Sequence, residues 1–162
     1  MDEVDLIVSA WERERPDLDV TPMAVLSRVS RLARQLDLAR KETFAAHGLE
    51  VWAFDVLSAL RRAGKPYELS PSTLVNEMMV TSGTMTNRID RLVSRGLVSR
   101  HPDPTDRRGV HVRLTTSGRT KVDTALAELL EHEHALLSNL SQAQKRKLAE
   151  LLRSLSTGFS PT

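Results

Sequence analysis

The sequence predicts a mainly α-helical chain with one short β-hairpin inserted late in the order of helices. Apolar residues recur every three or four positions through most of the 162 residues, which is the spacing of one helix face. The exception follows Gly96, where Val110, Val112 and Leu114 alternate with polar residues as in a half-buried strand. Gly96, Leu97 and Val98 form a second short apolar stretch. Strands are therefore predicted around residues 97–100 and 110–114, paired as a hairpin.

The composition is that of a soluble globular protein, with 40% hydrophobic and 27% charged residues. The formal net charge is only +2, so local clusters must attract any anionic partner. The absence of cysteine excludes disulfides and cysteine-based chemistry. No apolar run approaches the roughly 20 residues of a membrane span, and the acidic start M-D-E-V-D has the wrong sign for a secretory leader. We therefore expect a cytoplasmic protein without membrane contact.

Three helices are predicted in the first part of the chain. The first covers residues 2–15. The second starts at Thr21, interpreted as an N-cap, with Pro22 at the first helical position, and runs to about residue 46. The third covers residues 52–63 and carries an aspartate in an otherwise apolar stretch.

The middle of the chain outlines a winged helix-turn-helix. A short helix over residues 72–79 is followed by a turn over 80–83, a second helix over 84–94 and the hairpin. In such an arrangement the second helix lies in the major groove of DNA and offers side chains to base edges. Its outward-facing polar residues are Ser82, Thr84, Thr86, Asn87, Asp90 and Arg91.

The hairpin tip carries Arg107 and Arg108, which would lie beside the minor groove or its phosphates. Taken separately, a helix-turn-helix pattern can be two packed helices and a D-R-R tip can be a solvated turn. Their adjacency in the correct order favours binding of duplex DNA. Two more helices, over residues 117–137 and 141–155, complete the chain.

The segment SGTMTNRIDRLVSRGLVSRHPDPTDRRGVHVRLTTSGR, residues 82–119, resembles the MarR family of transcriptional regulators. The D-R-R wing followed by L-T-x-x-G carries the resemblance. It implies an obligate homodimer with intertwined first and last helices, bound to a pseudo-palindromic operator. We therefore predict helical dimerisation regions over residues 1–46 and 117–156, and a winged helix-turn-helix DNA-binding region over 48–116.

Apolar helix faces near both ends independently favour a dimer, because a small winged core cannot cover all of them. The alternative is that the terminal helices pack on their own chain. These apolar residues are Val4, Ile7 and Val8 near one end and Leu126, Leu129, Leu130, Leu136, Leu137, Leu140, Leu148, Leu151 and Leu152 near the other.

Within the family, the chain resembles the urate-responsive branch, known for an added N-terminal helix. That branch has a tryptophan in the extra helix and an aspartate, which correspond to Trp11 and Asp55 here. It also has an arginine in S/T-N-R-I and an arginine after G-L-[IV]-x, which correspond to Arg88 and Arg100. The stretches W-x-x-E-R-P-D-L-D and T-S-G-T-M-T-N-R-I-D-R-L are similar to the subset that senses trans-aconitate and related tricarboxylates. The resemblance implies a small anionic ligand held by these four residues. From its spacing alone, Asp55 is better interpreted as an ordinary exposed residue; the resemblance is what favours a ligand role.

Other chemistry is not indicated. His132 and His134 are two residues apart on a helix and point to different sides, so they do not converge on a metal. No serine elbow or glycine-rich phosphate loop is present, so we expect neither an enzyme nor a cofactor. Aromatic residues, at 4%, are too sparse for a single-strand stacking platform. Two alternatives stay open: a MarR-like DNA binder without small-molecule input, and a helical scaffold whose wing binds an acidic protein.

Overall fold

The computed structural model describes residues 1–103 and 109–158 and divides the chain into two compact units, Met1–Asp55 and Val56–Thr162. Helices dominate the described residues, as predicted. In chain order, the elements are α1 (Glu3–Glu14), α2 (Thr21–Ala46), α3 (Val51–Arg62), β1 (Glu68–Leu69), α4 (Pro71–Met78), α5 (Ser82–Ser94), β2 (Val98–Pro102), β3 (Val110–Leu114), α6 (Thr116–Leu136) and α7 (Gln142–Thr157). No helix within the described residues is long and apolar enough to cross a membrane.

In the first unit, α1 is tied to α2 by ion pairs. The side chain of Asp2 caps α1 and also accepts hydrogen bonds from Nε and Nη2 of Arg28, each at 2.9 Å. Arg28 also binds Asp5, and Arg31 binds Glu3. The hydrogen bond from Arg28 holds the pKa of Asp2 below its usual range. The predicted first helix is therefore confirmed, and ion pairs with α2 fix its first turn.

The predicted N-cap of α2 is wrong. The helix already includes Thr21, and its N-cap is Val20, whose side chain makes no capping bond. Instead, the carboxylate of Asp19 accepts hydrogen bonds from the Thr21 backbone N–H at 3.0 Å and the Thr21 hydroxyl at 2.7 Å. A charged oxygen is a stronger acceptor than a hydroxyl. The Asp19 carboxylate therefore holds the first residue of the helix, and Thr21 donates both hydrogen bonds.

In the second unit, the predicted helix-turn-helix is confirmed with a tighter turn. Helix α5 begins at Ser82, two residues earlier than predicted, because the Thr81 hydroxyl caps it by accepting from the Thr84 N–H. Met79 ends α4 in a left-handed conformation, with φ 49°. The turn is thus reduced to a few residues, and Ser82 enters the first turn of α5.

The hairpin is also confirmed, and the sheet has a third strand. Strands β2 and β3 pair antiparallel from Val98 opposite Leu114 to Pro102 opposite Val110. Strand β1 adds to the other edge of β3, with Glu68 opposite Arg113, so the strand order is β1-β3-β2. Sequence analysis missed β1 because two residues are too few to show an alternating pattern.

The start of α6 is pressed against the start of β2. The Thr115 hydroxyl caps α6 through the Gly118 N–H and also bonds the carbonyls of Gly96 and Leu97, at 2.7 and 3.1 Å. A Cβ on Gly118 would lie 2.0 Å from the Leu97 carbonyl oxygen. The T-x-x-G part of the L-T-x-x-G motif therefore has a structural role: the threonine binds the strand, and only glycine fits beside it.

Substituting Gly118 by alanine should destabilise the chain by at least about 1–3 kcal/mol, because the obstructing atom is backbone and cannot rotate away. Gly83→Ala is the matched control, since nothing lies within 4 Å of its added Cβ. It should stabilise helix α5 by about 0.4–1 kcal/mol. Thermal unfolding at one fixed protein concentration measures both; equal effects of the two substitutions would contradict the close approach.

Candidate nucleic-acid interface

Helix α5 has one buried apolar face and one exposed polar face. Met85, Ile89 and Leu92 are at most 1% exposed. The predicted outward residues are exposed, as expected: Ser82, Thr84, Thr86, Asn87, Asp90 and Arg91. The burial of the apolar face therefore orients a row of polar side chains to the surface, with small residues at the N-terminal end.

Two threonine hydroxyls on this face already make hydrogen bonds within α5 and with its N-cap. Thr84 accepts a hydrogen bond from the Thr81 hydroxyl at 2.9 Å, and Thr86 donates to the Ser82 carbonyl at 2.9 Å. Thr84 can therefore still donate, whereas Thr86 presents an oxygen acceptor and a methyl group. The amide of Asn87 makes no hydrogen bond within the described residues, so both its donor and its acceptor are available. A paired donor and acceptor is what the edge of adenine requires in the major groove.

The wing tip, with the predicted residues Arg107 and Arg108, lies outside the described residues. The base of the wing is described. The Asp103 N–H donates to the Gly109 carbonyl at 3.0 Å and closes the two strands.

A charged cluster lies at the base of the wing. Glu68 accepts from Nε of Arg113 at 2.7 Å, and the ring nitrogens of His111 lie 3.1 Å from Asp103 Oδ2 and 3.5 Å from Glu68 Oε1. Glu68 is the most buried of these side chains, with 15% of it exposed. The hydrogen bond from Arg113 holds the pKa of Glu68 below its usual range, and His111 lowers it further. This cluster joins β1 and β3 to Asp103, the residue that follows β2.

Two of the predicted ligand residues, Trp11 and Asp55, belong to the first unit. Trp11 lies on α1 with 47% of its surface exposed, and its indole joins no hydrogen bond or ring contact among the described residues. Asp55 lies on α3 with 38% of its side chain exposed, and its Oδ1 is 3.4 Å from Nη2 of Arg40. Asp55 therefore has the cationic partner that a carboxylate in an apolar stretch needs.

Sequence analysis missed Arg40 as that partner. The rings of Phe44 and Phe54 stack with centroids 3.9 Å apart and bring the end of α2 against α3. Arg40 lies one turn before Phe44, with its guanidinium 5.6 Å from the centre of that ring. Its Nε is buried and has no hydrogen-bond partner among the described residues. No local pattern in the sequence indicates this pairing, because it depends on the packing of two helices.

The other two predicted ligand residues belong to the second unit. Arg88 is partly buried on α5 and Arg100 is exposed on β2. Nη2 of Arg100 donates to Asp90 Oδ1 at 2.6 Å. This hydrogen bond links Arg100 to α5 through Asp90, a residue to which sequence analysis assigned no ligand role.

A separate groove of about 800 Å³ runs along α1 and α2 and contains none of the four predicted ligand residues. Its lining includes Arg28, Arg31, Arg34, Leu32 and Leu38. Two of these arginines are already paired with carboxylates at the start of α1, so the groove is not an open cationic site. His132 and His134 are exposed on α6, and the described residues contain no group of three or more metal-ligating side chains.

A family model and several characterised proteins are similar to this chain in sequence. The family model described as "MarR family" matches residues 47–109. The HTH-type transcriptional regulator PecS of Dickeya dadantii is 41% identical over 150 residues, covering 93% of this chain and 90% of PecS. The chain belongs to the MarR family. The HTH-type transcriptional repressor NicR of Pseudomonas putida is 30% identical over 142 residues, which is 85% of this chain and 88% of NicR.

A solved structure shows the same fold. The crystal structure of a mutant MarR from E. coli in complex with operator DNA superposes with a TM-score of 0.63 and 27% identity, covering 85% of this chain and 99% of that chain. The relatives of this MarR-family chain are transcriptional regulators and not enzymes. The expected fold class and the expectation of a non-enzymatic regulator are therefore confirmed.

Replacing Glu68 by glutamine should lower the free energy of unfolding by about 1–3 kcal/mol at pH 7, since the charge-assisted bond from Arg113 is removed. A carboxyl group whose pKa is lowered by folding stabilises the fold above its unfolded pKa, and this stabilisation is lost as the pH falls through the folded pKa. The cost of Glu68→Gln should therefore shrink as the pH falls below the usual glutamate range near pH 4. Denaturant unfolding of both proteins across this range measures it. The exposed Glu150→Gln on α7 should cost less than about 0.5 kcal/mol throughout; a cost for Glu68→Gln that does not change with pH would refute the assignment.

Proposed function

We propose that this MarR-family chain is a homodimeric transcriptional repressor that binds a pseudo-palindromic operator duplex and is released from it by a small anionic metabolite, tricarboxylate-like or urate-like. The observation that carries the proposal is helix α5, whose apolar face is buried and whose polar face is exposed along its whole length. The complex of a similar MarR protein with operator DNA supports it.

In this proposal, the exposed face of α5 reads the major groove. Asn87 and Thr86 contact base edges, while Ser82, Thr84 and Arg91 bind phosphates or flanking bases. Arg107 and Arg108 reach the minor groove or its phosphates from the wing tip. Small side chains at the N-terminal end of α5 allow close approach, and the backbone N–H groups of its first turn favour phosphate.

A second copy of the chain is proposed to cover the exposed leucines. Helix α7 has no buried residue, although a stripe of leucines runs along one of its faces. In the other unit, α2 exposes Val25, Leu26, Leu32, Leu36 and Leu38. Apolar surface of this extent favours association, and a two-fold dimer presents two copies of α5 to the two halves of a palindrome. Residues 1–46 and 117–156 are the proposed dimerisation regions, and residues 48–116 the DNA-binding region.

The anionic ligand is proposed to be held by Arg88 and Arg100, with Trp11 as a stacking wall and Asp55 as the charge that responds. Arginine binds carboxylates through paired, charge-assisted hydrogen bonds. Asp55 lies 3.4 Å from Arg40, whose buried Nε is unpartnered among the described residues; such a contact is easily rearranged when a negative ligand arrives. A coupling of about 1–3 kcal/mol between ligand and DNA binding would give a 5–150-fold response.

DNA binding is tested with a duplex from upstream of the chain's own coding sequence and a scrambled duplex of equal length, by fluorescence anisotropy at several salt concentrations. Asn87→Ala should lower the preference for the native duplex by about 1–3 kcal/mol, because a paired hydrogen bond to a base is removed. Arg91→Ala should weaken binding to both duplexes and reduce the salt slope by about 0.9 for each phosphate that is no longer neutralised.

Arg146→Ala on α7 removes one exposed positive charge outside the proposed DNA-binding region, on the helix face opposite the leucines. It is the control and should change neither quantity appreciably. Equal affinity of the unaltered protein for native and scrambled duplexes would overturn the proposed operator binding. That result would favour a helical scaffold.

The ligand response is tested with citrate, trans-aconitate and urate at one fixed salt concentration. At least one should release the native duplex from the unaltered protein. Asp55→Asn should still bind the duplex but be released less, because the responding charge is gone. Asp37→Asn, an exposed residue on α2 of the same unit, is the control and should respond normally. Release that persists unchanged in Asp55→Asn would refute the role of Asp55, and indifference of the unaltered protein to all three anions would favour a regulator without small-molecule input.

A further inference from the structure

The contact between Asp90 and Arg100 joins the exposed face of α5 to strand β2. Nη2 of Arg100 lies 2.6 Å from Asp90 Oδ1, and the two side chains are 41% exposed for Arg100 and 56% exposed for Asp90. Asp90 lies one helical turn beyond Thr86 and Asn87 on the same face. A carboxylate is unfavourable on a surface that meets phosphates, so Arg100 neutralises a charge that would otherwise oppose DNA binding.

We propose that Asp90 is an internal competitor of the effector: its carboxylate occupies Arg100 in the DNA-binding state, and an effector carboxylate replaces it. The inference rests on the proposed function, in which Arg100 binds the anionic ligand, and it adds Asp90 as the residue that couples that arginine to the recognition helix. The exchange has two consequences. Arg100 is withdrawn from Asp90, and Asp90 is left as an unneutralised negative charge on the face that meets DNA.

The exposure of the pair makes the exchange feasible. Ion pairs between solvent-exposed side chains are weak, because water solvates both charges and the side chains lose freedom on pairing. A bound carboxylate with a second anchoring group can therefore displace Asp90 from Arg100. The same weakness limits the effect of removing the pair to about a two- to fivefold change in effector affinity.

A second ion pair in the same unit provides a matched control. Nη2 of Arg62 lies 3.5 Å from Oε2 of Glu77 on α4, and the two side chains are 66% and 42% exposed. Glu77→Gln removes one negative charge and one exposed arginine–carboxylate pair, as Asp90→Asn does. It therefore reproduces the change in net charge without freeing Arg100.

The test measures citrate and trans-aconitate binding to the full chain by calorimetry, and duplex release by the same anions by anisotropy. In Asp90→Asn, the Kd for the effector should fall about two- to fivefold, because the internal competitor is gone. The effector-induced loss of DNA affinity should also shrink, since no carboxylate is left exposed on α5. Glu77→Gln should match the unaltered protein in both measurements.

The outcomes separate this inference from the proposed function. If the unaltered protein is released by an anion and Asp90→Asn binds and responds identically, the competition is refuted and the ligand response stands. If the unaltered protein binds neither anion but Asp90→Asn does, the proposed response to these anions fails while the competition is supported. If neither protein binds either anion, the competition is overturned, and the proposed ligand response then depends on the urate measurement alone.

Discussion

The second unit depends on one close approach, that of the first turn of α6 to the Leu97 carbonyl. Gly118 permits it because any Cβ would fall 2.0 Å from that oxygen. The Thr115 hydroxyl bonds the carbonyls of Gly96 and Leu97 at the same point. Gly96 follows the C-cap of α5, and Leu97 precedes β2. One junction therefore fixes the end of the recognition helix, the start of the wing and the start of the long helix.

The electrostatic properties of this chain depend on individual ion pairs rather than on its net charge. A net charge of +2 gives no general attraction to DNA, so the proposed interface depends on which arginines are neutralised and which are available. Glu68 holds Arg113 at the base of the wing and Asp90 holds Arg100 beside α5. The carboxylate of the first pair is largely buried and fixes the sheet, whereas the second pair is exposed and can be exchanged. Burial thus separates a structural ion pair from one suited to regulation.

The first unit contains further ion pairs, all of them partly exposed. Three carboxylates at the start of α1 bind two arginines of α2 and fix the N-terminal helix in place. Asp55 and Arg40 meet at 3.4 Å beside a stacked pair of phenylalanines. The aromatic stack packs the end of α2 against α3 beside this ion pair. The proposed role of Asp55 requires its side chain to move while the packed rings beside it stay in place.

By itself, the sequence determined the helices, the hairpin and the two faces of α5, because each follows from a period that a single segment shows. Met85, Ile89 and Leu92 are apolar at helical spacing, and Val110, Val112 and Leu114 alternate as a strand does. The family resemblance then supplied the four candidate ligand residues. Tertiary structure alone decided the third strand and the partners of Asp55 and Arg100. The strand and these ion pairs depend on residues that packing brings together from separate segments of the chain. No periodicity within one segment encodes that packing.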